Sequence, residues 1–127
     1  MDQFRDLKEF HTRFKQLYEG SPRILDQTTA SFRLWFLIEE TTELKHALEN
    51  HDLARALDAL VDIDYVLKGT IVMMGLSPVF AEAWKRVHEA NMKKELAGDA
   101  SRSKRGNRYD IIKPEGWVAP NLDDLVA

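Results

Sequence analysis

Six acidic residues in two short clusters are the part of this sequence best equipped for chemistry: Glu39, Glu40 and Glu43, then Asp58, Asp62 and Asp64. On helices advancing about 100° per residue, Glu39 and Glu43 share a face, Glu40 lies close to Glu43, and Asp58 aligns with Asp62. Like charges so spaced destabilise a helix by roughly 0.2–0.5 kcal/mol per pair, so something must compensate. Asn50 and His51 read as a turn. Glu43 stands as far before it as Asp58 stands after it, and Glu39 and Asp62 are matched in the same way. Antiparallel helices joined by so short a connection bring four carboxylates together at two adjacent levels. Four anions against an apolar helix face require a cation. Oxygen ligands, no cysteine and little histidine favour Mg²⁺ or Mn²⁺ over zinc or copper. A solvated acidic face is the competing account. Asp64 suits it, with Lys68 four residues on, and Arg55 is placed to pair with Asp58. Asp62 does not suit it, because its three- and four-residue neighbours are Ala59, Tyr65, Asp58 and Val66.

The elements that must position these groups are helices. Phe4, Leu7, Phe10, Phe14 and Leu17 recur at helical spacing and predict a first helix over about Asp2 to Tyr18, stopped by Gly20-Ser21-Pro22. A second is expected over about Ser31 to Glu49, with Phe32, Trp35, Phe36, Ile38 and Leu48 as its apolar surface. Asp52 is the expected N-cap of a third, about Leu53 to Met74, which is apolar nearly all round and should sit centrally. Gly75 reads as its stop. Ser77-Pro78 opens a fourth helix running to about Leu96. Beyond Gly98 comes a polar, basic stretch, an extended segment from Ile111 to Pro120, and a last helical turn over Leu122 to Val126. The expected fold class is all-α, a four- to five-helix bundle. It forms a single domain over residues 1–127, with a helical body over about 2–96 and a C-terminal arm over 97–127.

Composition narrows the function classes. A chain of 127 residues has room for one sizeable core. The absence of cysteine excludes disulfides, thiolate nucleophiles and Cys-based zinc sites. A net charge of -3 argues against bulk attraction to nucleic acid or anionic membrane. No apolar run reaches about 18 residues, and the charged start Met1-Asp2-Gln3-Phe4-Arg5 does not read as a signal peptide. A cytoplasmic protein is expected, with neither membrane nor nucleic acid as partner.

Read together, several blocks are more specific. Glu39-Glu40-Thr41-Thr42-Glu43, Asp58 to Val66, Gly69-Thr70 and Met74-Gly75-Leu76 resemble the all-α nucleotide pyrophosphatases. That superfamily includes MazG-type proteins, dimeric dUTPases and phosphoribosyl-ATP pyrophosphohydrolases. Val87-His88-Glu89-Ala90-Asn91-Met92-Lys93-Lys94, Ser103-Lys104-Arg105-Gly106 and Lys113-Pro114-Glu115-Gly116-Trp117 resemble later blocks of a phage-type branch. The likeness covers roughly residues 30 to 125.

The resemblance implies metal ligation by Glu40 and Glu43, from an E-x-x-E element, and by Asp62. The second element is usually E-x-x-D, and this chain has Ala59 where its glutamate would stand; Asp58, displaced by one residue, is the expected substitute. The implied activity is Mg²⁺-dependent hydrolysis of a nucleoside triphosphate to the monophosphate and pyrophosphate, with dUTP ahead of other (d)NTPs because the C-terminal blocks look most like the dimeric dUTPases. Glu39 is the expected group to orient or deprotonate the attacking water. Arg33, Tyr65, Asn91, Lys94, Lys104 and Arg105 are the expected substrate contacts. Arg33 has a helix partner, and Tyr65 a place in the core, as alternatives. Trp117 is expected to pin the tail onto the body or onto a second subunit. A homo-oligomer, dimer or tetramer, is implied by the superfamily and by the apolar third helix. Two rivals stand beside this reading. One is a non-catalytic helical interaction module. The other is a carboxylate-bridged di-iron bundle, for which Glu43-Leu44-Lys45-His46 supplies only one of the two E-x-x-H elements required.

Overall fold

A computed structural model describes residues 2–127, and the elements are those of an all-α protein. In chain order they are α1 (Gln3–Arg13), α2 (Gln27–Glu49), α3 (Leu53–Met73) and α4 (Ser77–Asn91), followed by two-residue strands β1 (Glu95–Leu96) and β2 (Ile111–Ile112). Single 3₁₀ turns cover Ala100–Arg102 and Asp123–Leu125. Among the described residues no helix is long and apolar enough to cross a membrane. The chain divides into two compact units, Met1–Pro78 and Val79–Ala127.

In the first unit, helix ends follow local chemistry. Asp2, Asp26 and Asp52 cap α1, α2 and α3, each carboxylate accepting from a main-chain N–H three residues on. The expected turn at Asn50-His51 is there: His51 takes a positive φ of 52°, and Asp52 N–H closes back on the Ala47 carbonyl at 2.9 Å. The first helix stops five residues before the expected Tyr18. Lys15 adopts φ 60° and Gln16 N–H returns to the His11 carbonyl at 2.7 Å, so the helix closes without a glycine. The second begins four residues before Ser31, because Asp26 binds both the N–H and the hydroxyl of Thr29.

The α3 helix packs against both α1 and α2, as its apolar circumference predicts. Small residues line its junction with α2: Ala47 on one side, Ala56, Ala59 and Gly69 on the other, all buried. The buried stripe of α2 is Arg33, Glu40 and Ala47, repeating every seven residues. Two of those three are charged, while Phe32, Leu34, Trp35 and Ile38 on the same helix are exposed, Trp35 at 66%. The polarity of α2 is therefore inverted within this chain.

In the second unit, α4 ends at Asn91, short of the expected Leu96. Lys93 and Lys94 turn back onto Ala90 and Asn91, and Glu95–Leu96 pairs antiparallel with Ile111–Ile112. Trp117 pins the tail within this unit, its indole Nε1 donating to the Ala90 carbonyl at 2.7 Å. Arg86 on α4 grips the other end of the tail. It donates to both carboxylate oxygens of Asp124, at 2.6 and 3.0 Å, and to the Asn121 carbonyl.

Candidate metal centre

The acidic cluster forms between α2 and α3, which pack against each other. Because the facing residues near the turn are alanines, the backbones approach and carry Glu40 into their interface, where it is 8% exposed. One carboxylate oxygen each from Glu40, Glu43 and Asp62 lies within 4.8 Å of the others. Glu43 is exposed and Asp62 half-buried, so the group opens to solvent on one side. The Glu40 Oε2 atom is buried and has no hydrogen-bond partner.

Electrostatics record the same crowding. Burial, then the charges of Glu43 and Asp62, push the Glu40 carboxyl up to about 7. Burial also raises Asp62, assisted by Asp58 and Glu43 and opposed by hydrogen bonding to Glu40. Two carboxyls raised by burial and by neighbouring charge, with Glu43 beside them and one orphaned buried oxygen, fit a divalent cation held by hard oxygen donors.

The remaining sequence candidates divide. Asp58 is exposed and lies outside the group of three, although its charge reaches Asp62; with Glu43 and Ala59 it lines a cavity of about 480 Å³ at the α2–α3 turn. Glu39 is exposed beside Glu40 and borders a groove of about 300 Å³ floored by Trp35 and Ile38. Arg33 takes the role of helix partner: buried, it donates from Nε to the Thr70 hydroxyl at 3.0 Å and from Nη2 to the Val66 carbonyl at 2.7 Å. Tyr65 packs edge-on against Phe10 with ring centres 5.3 Å apart, and stays partly exposed. Asp64 pairs with Lys68 as its spacing suggests, and Arg55 pairs with Asp52 at 3.3 Å instead of Asp58. Asn91, Lys94, Lys104 and Arg105 belong to the second unit, where the last three line one cavity.

Sequence reasoning passed over His11. It is buried beside Arg33, whose charge, after burial itself, lowers its pKa. The signal was its place in the stripe Leu7, Phe10, His11, Phe14. It also missed His46, Asn50 and Arg55, which line the cavity beside Glu43. Nothing but the folded turn groups these three.

The family model for phosphoribosyl-ATP pyrophosphohydrolase matches residues 7–91, two thirds of the chain, and spans both acidic elements. The chain belongs to the phosphoribosyl-ATP pyrophosphohydrolase family. A search among curated proteins found no match. Membership of this family, within the MazG-like all-α nucleotide pyrophosphatases, makes the protein a pyrophosphohydrolase acting on nucleotide phosphoanhydrides. The departure at Ala59 is then structural: position 59 faces α2 and is buried, whereas Asp58 is turned about one residue's rotation away.

Proposed function

We propose that this chain is a Mg²⁺-dependent nucleoside triphosphate diphosphatase, releasing the monophosphate and pyrophosphate, with Mn²⁺ as a substitute metal. The observation that carries the reading is the convergence of Glu40, Glu43 and Asp62 oxygens within 4.8 Å around a buried, unpartnered Glu40 Oε2. A divalent cation bound there supplies charge neutralisation for phosphate oxygens and acidifies water. Glu40, Glu43 and Asp62 would hold it, with Asp58 adding negative charge at the rim. Glu39, exposed one turn from Glu43, would accept the proton of the attacking water. Tyr65 is a proposed nucleotide contact in the first unit; Asn91, Lys94, Lys104 and Arg105, within the second unit, are proposed nucleotide contacts on the strength of the sequence resemblance alone. Arg33 would hold the two acidic helices in register.

The substrate we favour is a (d)NTP, with dUTP first, because the C-terminal blocks resemble dimeric dUTPases. We further propose a cytoplasmic homo-oligomer. Exposed Phe32, Trp35, Leu57, Leu60 and Val61 form more apolar surface than α2 and α3 cover between them.

The test is pyrophosphate release from a panel of nucleoside triphosphates and phosphoribosyl-ATP, with Mg²⁺ or with EDTA. Turnover of a triphosphate with Mg²⁺, abolished by Asp62→Asn without loss of helical circular dichroism, is the expected result. Turnover confined to phosphoribosyl-ATP would overturn the substrate assignment. Full activity in EDTA would overturn the metal.

A further inference from the structure

The α1 helix is docked by very few side chains. Leu7 and His11 are its buried residues, at 2% and 1% exposure, whereas Phe10 and Phe14 remain exposed. Its 11 residues fall short of the roughly 12–15 that an isolated helix needs in water, so α1 keeps its form only while docked. One of the two side chains that seat it is therefore a titratable imidazole.

The surroundings of that imidazole suit its neutral form alone. Its Nδ1 atom is buried without a hydrogen-bond partner, and a proton there would be a buried donor facing no acceptor. Together with Arg33 the ring stands over Gly69 on α3: a Cβ at that glycine would lie 3.1 Å from His11 Nε2 and 2.6 Å from Arg33 Nη2. The Arg33 guanidinium donates to two neutral oxygens, the Thr70 hydroxyl and the Val66 carbonyl. No carboxylate pairs with it among the described residues. The other charged groups near this junction give an imidazolium no relief. On α1, Asp6 and Glu9 act on the Tyr65 phenol, and Arg5, Lys8 and Arg13 add positive charge. On α3, Asp64 is taken by Lys68. On α2, Glu40 lies two turns along the stripe from Arg33. Burial and then the Arg33 charge accordingly lower the His11 pKa.

The chain after α1 is fastened independently. Arg23 donates from its main-chain N–H to the Met74 carbonyl and from Nε to the Met73 carbonyl, both at 2.9 Å. Its guanidinium lies 3.5 Å over the Tyr18 ring. Release of α1 would stop at this clasp and leave α2 and α3 joined.

We propose that His11 is the latch of an acid-released helix: on its protonation α1 leaves α3 and unwinds, while the α2–α3 pair and the Arg23 clasp stay closed. Undocking carries the imidazolium into water and away from Arg33. It also strips Phe10 from Tyr65, whose ring centre it holds at 5.3 Å. Tyr65 stands three residues after Asp62, so the helix surface next to the acidic centre opens in the same step. Attenuation of turnover in acid by this route rests on the function proposed above; the undocking itself needs neither metal nor substrate.

Hydrogen exchange of the full-length protein in EDTA, followed by mass spectrometry from about pH 5 to 8 and corrected for intrinsic rates, reads α1 against the rest of the chain. Opening of peptides within 3–13 should rise towards tenfold per unit as pH falls below 6.5, while peptides flanking the α2–α3 turn keep their protection. His11→Gln has no group to titrate there and should hold α1 exchange level across the range. Arg33→Met keeps the histidine but removes the charge beside it, and should shrink the total change between pH 8 and 5. Asp62→Asn, which abolishes the proposed catalysis, should leave the α1 response intact, so failure of the latch and failure of the enzyme reading are distinguished. The proposal is overturned if α1 follows pH no more steeply than the α2–α3 turn, or if His11→Gln retains the wild-type response. Should glutamine itself loosen α1, Arg33→Met decides, and an unchanged response in that variant overturns the latch.

Discussion

Arg33 on α2 donates from Nη2 to the main-chain oxygen of Val66 on α3 at 2.7 Å, and this bond sets the register of the acidic centre. Glu40 lies seven residues along the buried stripe from Arg33, and Asp62 lies one turn before Val66. Sliding either helix would separate the carboxylates and break the bond together. Arg33→Met keeps most of the stem's packing but removes donors to Val66 and Thr70. A hydrogen bond involving a charged group contributes about 1.5–3 kcal/mol. The Val66 carbonyl still accepts from the Thr70 hydroxyl at 2.8 Å, so the loss should sit near the lower end. Urea denaturation in EDTA measures it, and Mg²⁺ should bind more weakly to the variant. An unchanged midpoint would remove Arg33 from this role.

Gly69 makes room for that arginine. A Cβ there would stand 2.6 Å from Arg33 Nη2 and 3.1 Å from His11 Nε2. Alanine is worth about 1 kcal/mol over glycine in a helix interior, whereas overpacking a buried site costs about 1–3 kcal/mol. Arg33 Nη2 ends a flexible chain, but it is buried and tied to Val66, so it cannot move aside without losing its bond. Gly69→Ala should therefore be destabilising by about 1 kcal/mol. Combined with Arg33→Met, its effect should be less than additive. A variant as stable as wild type would show that the arginine yields freely.

Much of this arrangement was legible in the residue order. The Asp52 cap, the Asn50-His51 turn and the Ser77-Pro78 start announced helix boundaries; the symmetric spacing about the turn pointed to Glu39, Glu43, Asp58 and Asp62, of which only Glu43 and Asp62 join the group, with Glu40 as its third member. What it misjudged was rotation about the helix axes. Seven-residue spacing places Arg33, Glu40 and Ala47 on one buried stripe, yet hydrophobicity pointed to Phe32, Trp35 and Ile38, which the chain leaves exposed. A buried charge is invisible to an apolar-periodicity argument, because its burial depends on a partner from another helix. The strand Glu95–Leu96 was hidden for a similar reason: its pairing partner lies at Ile111–Ile112, beyond a loop whose closure no local pattern reveals.

That inverted polarity leads to a prediction about assembly. Leu57, Leu60 and Val61 on α3 and Phe32 and Trp35 on α2 are exposed, and Leu53 reaches 84%. Exposed apolar residues in this number on two helices point to an interaction site, and the proposed occupant is a second copy of this chain. Light scattering coupled to size exclusion should report a dimer or tetramer. Leu57→Glu/Leu60→Glu should shift it towards monomer, by placing unpaired charges in the interface. A wild-type monomer at micromolar concentration would refute the assignment.

Two buried groups make opposite contributions to the pH dependence of stability. The Glu40 carboxyl moves from 4.5 to about 7 on folding, chiefly through burial and then repulsion by Glu43 and Asp62. Its contribution is fully present below about pH 4.5 and is lost as pH rises towards about 7, because over that window the folded state retains a proton that the unfolded chain releases. Asp62, also raised, acts in the same direction. His11 is lowered from 6.5 by burial and by Arg33, so its contribution is present above pH 6.5 and is lost as pH falls below that value. Wild-type stability alone therefore mixes two slopes, and the difference between wild type and Glu40→Gln isolates one. In EDTA, Glu40→Gln should gain stability relative to wild type as pH rises from about 4.5 to about 7, and hold that gain above. Mg²⁺ should reverse the order at pH 8, where ionised ligands bind it and only the folded wild type offers all three. Melting temperatures of both proteins between pH 4.5 and 8, with and without Mg²⁺, measure this. Parallel curves throughout would mean that Glu40 ionises in the fold as freely as in the unfolded chain, and that the α2–α3 carboxylates do not form a metal centre.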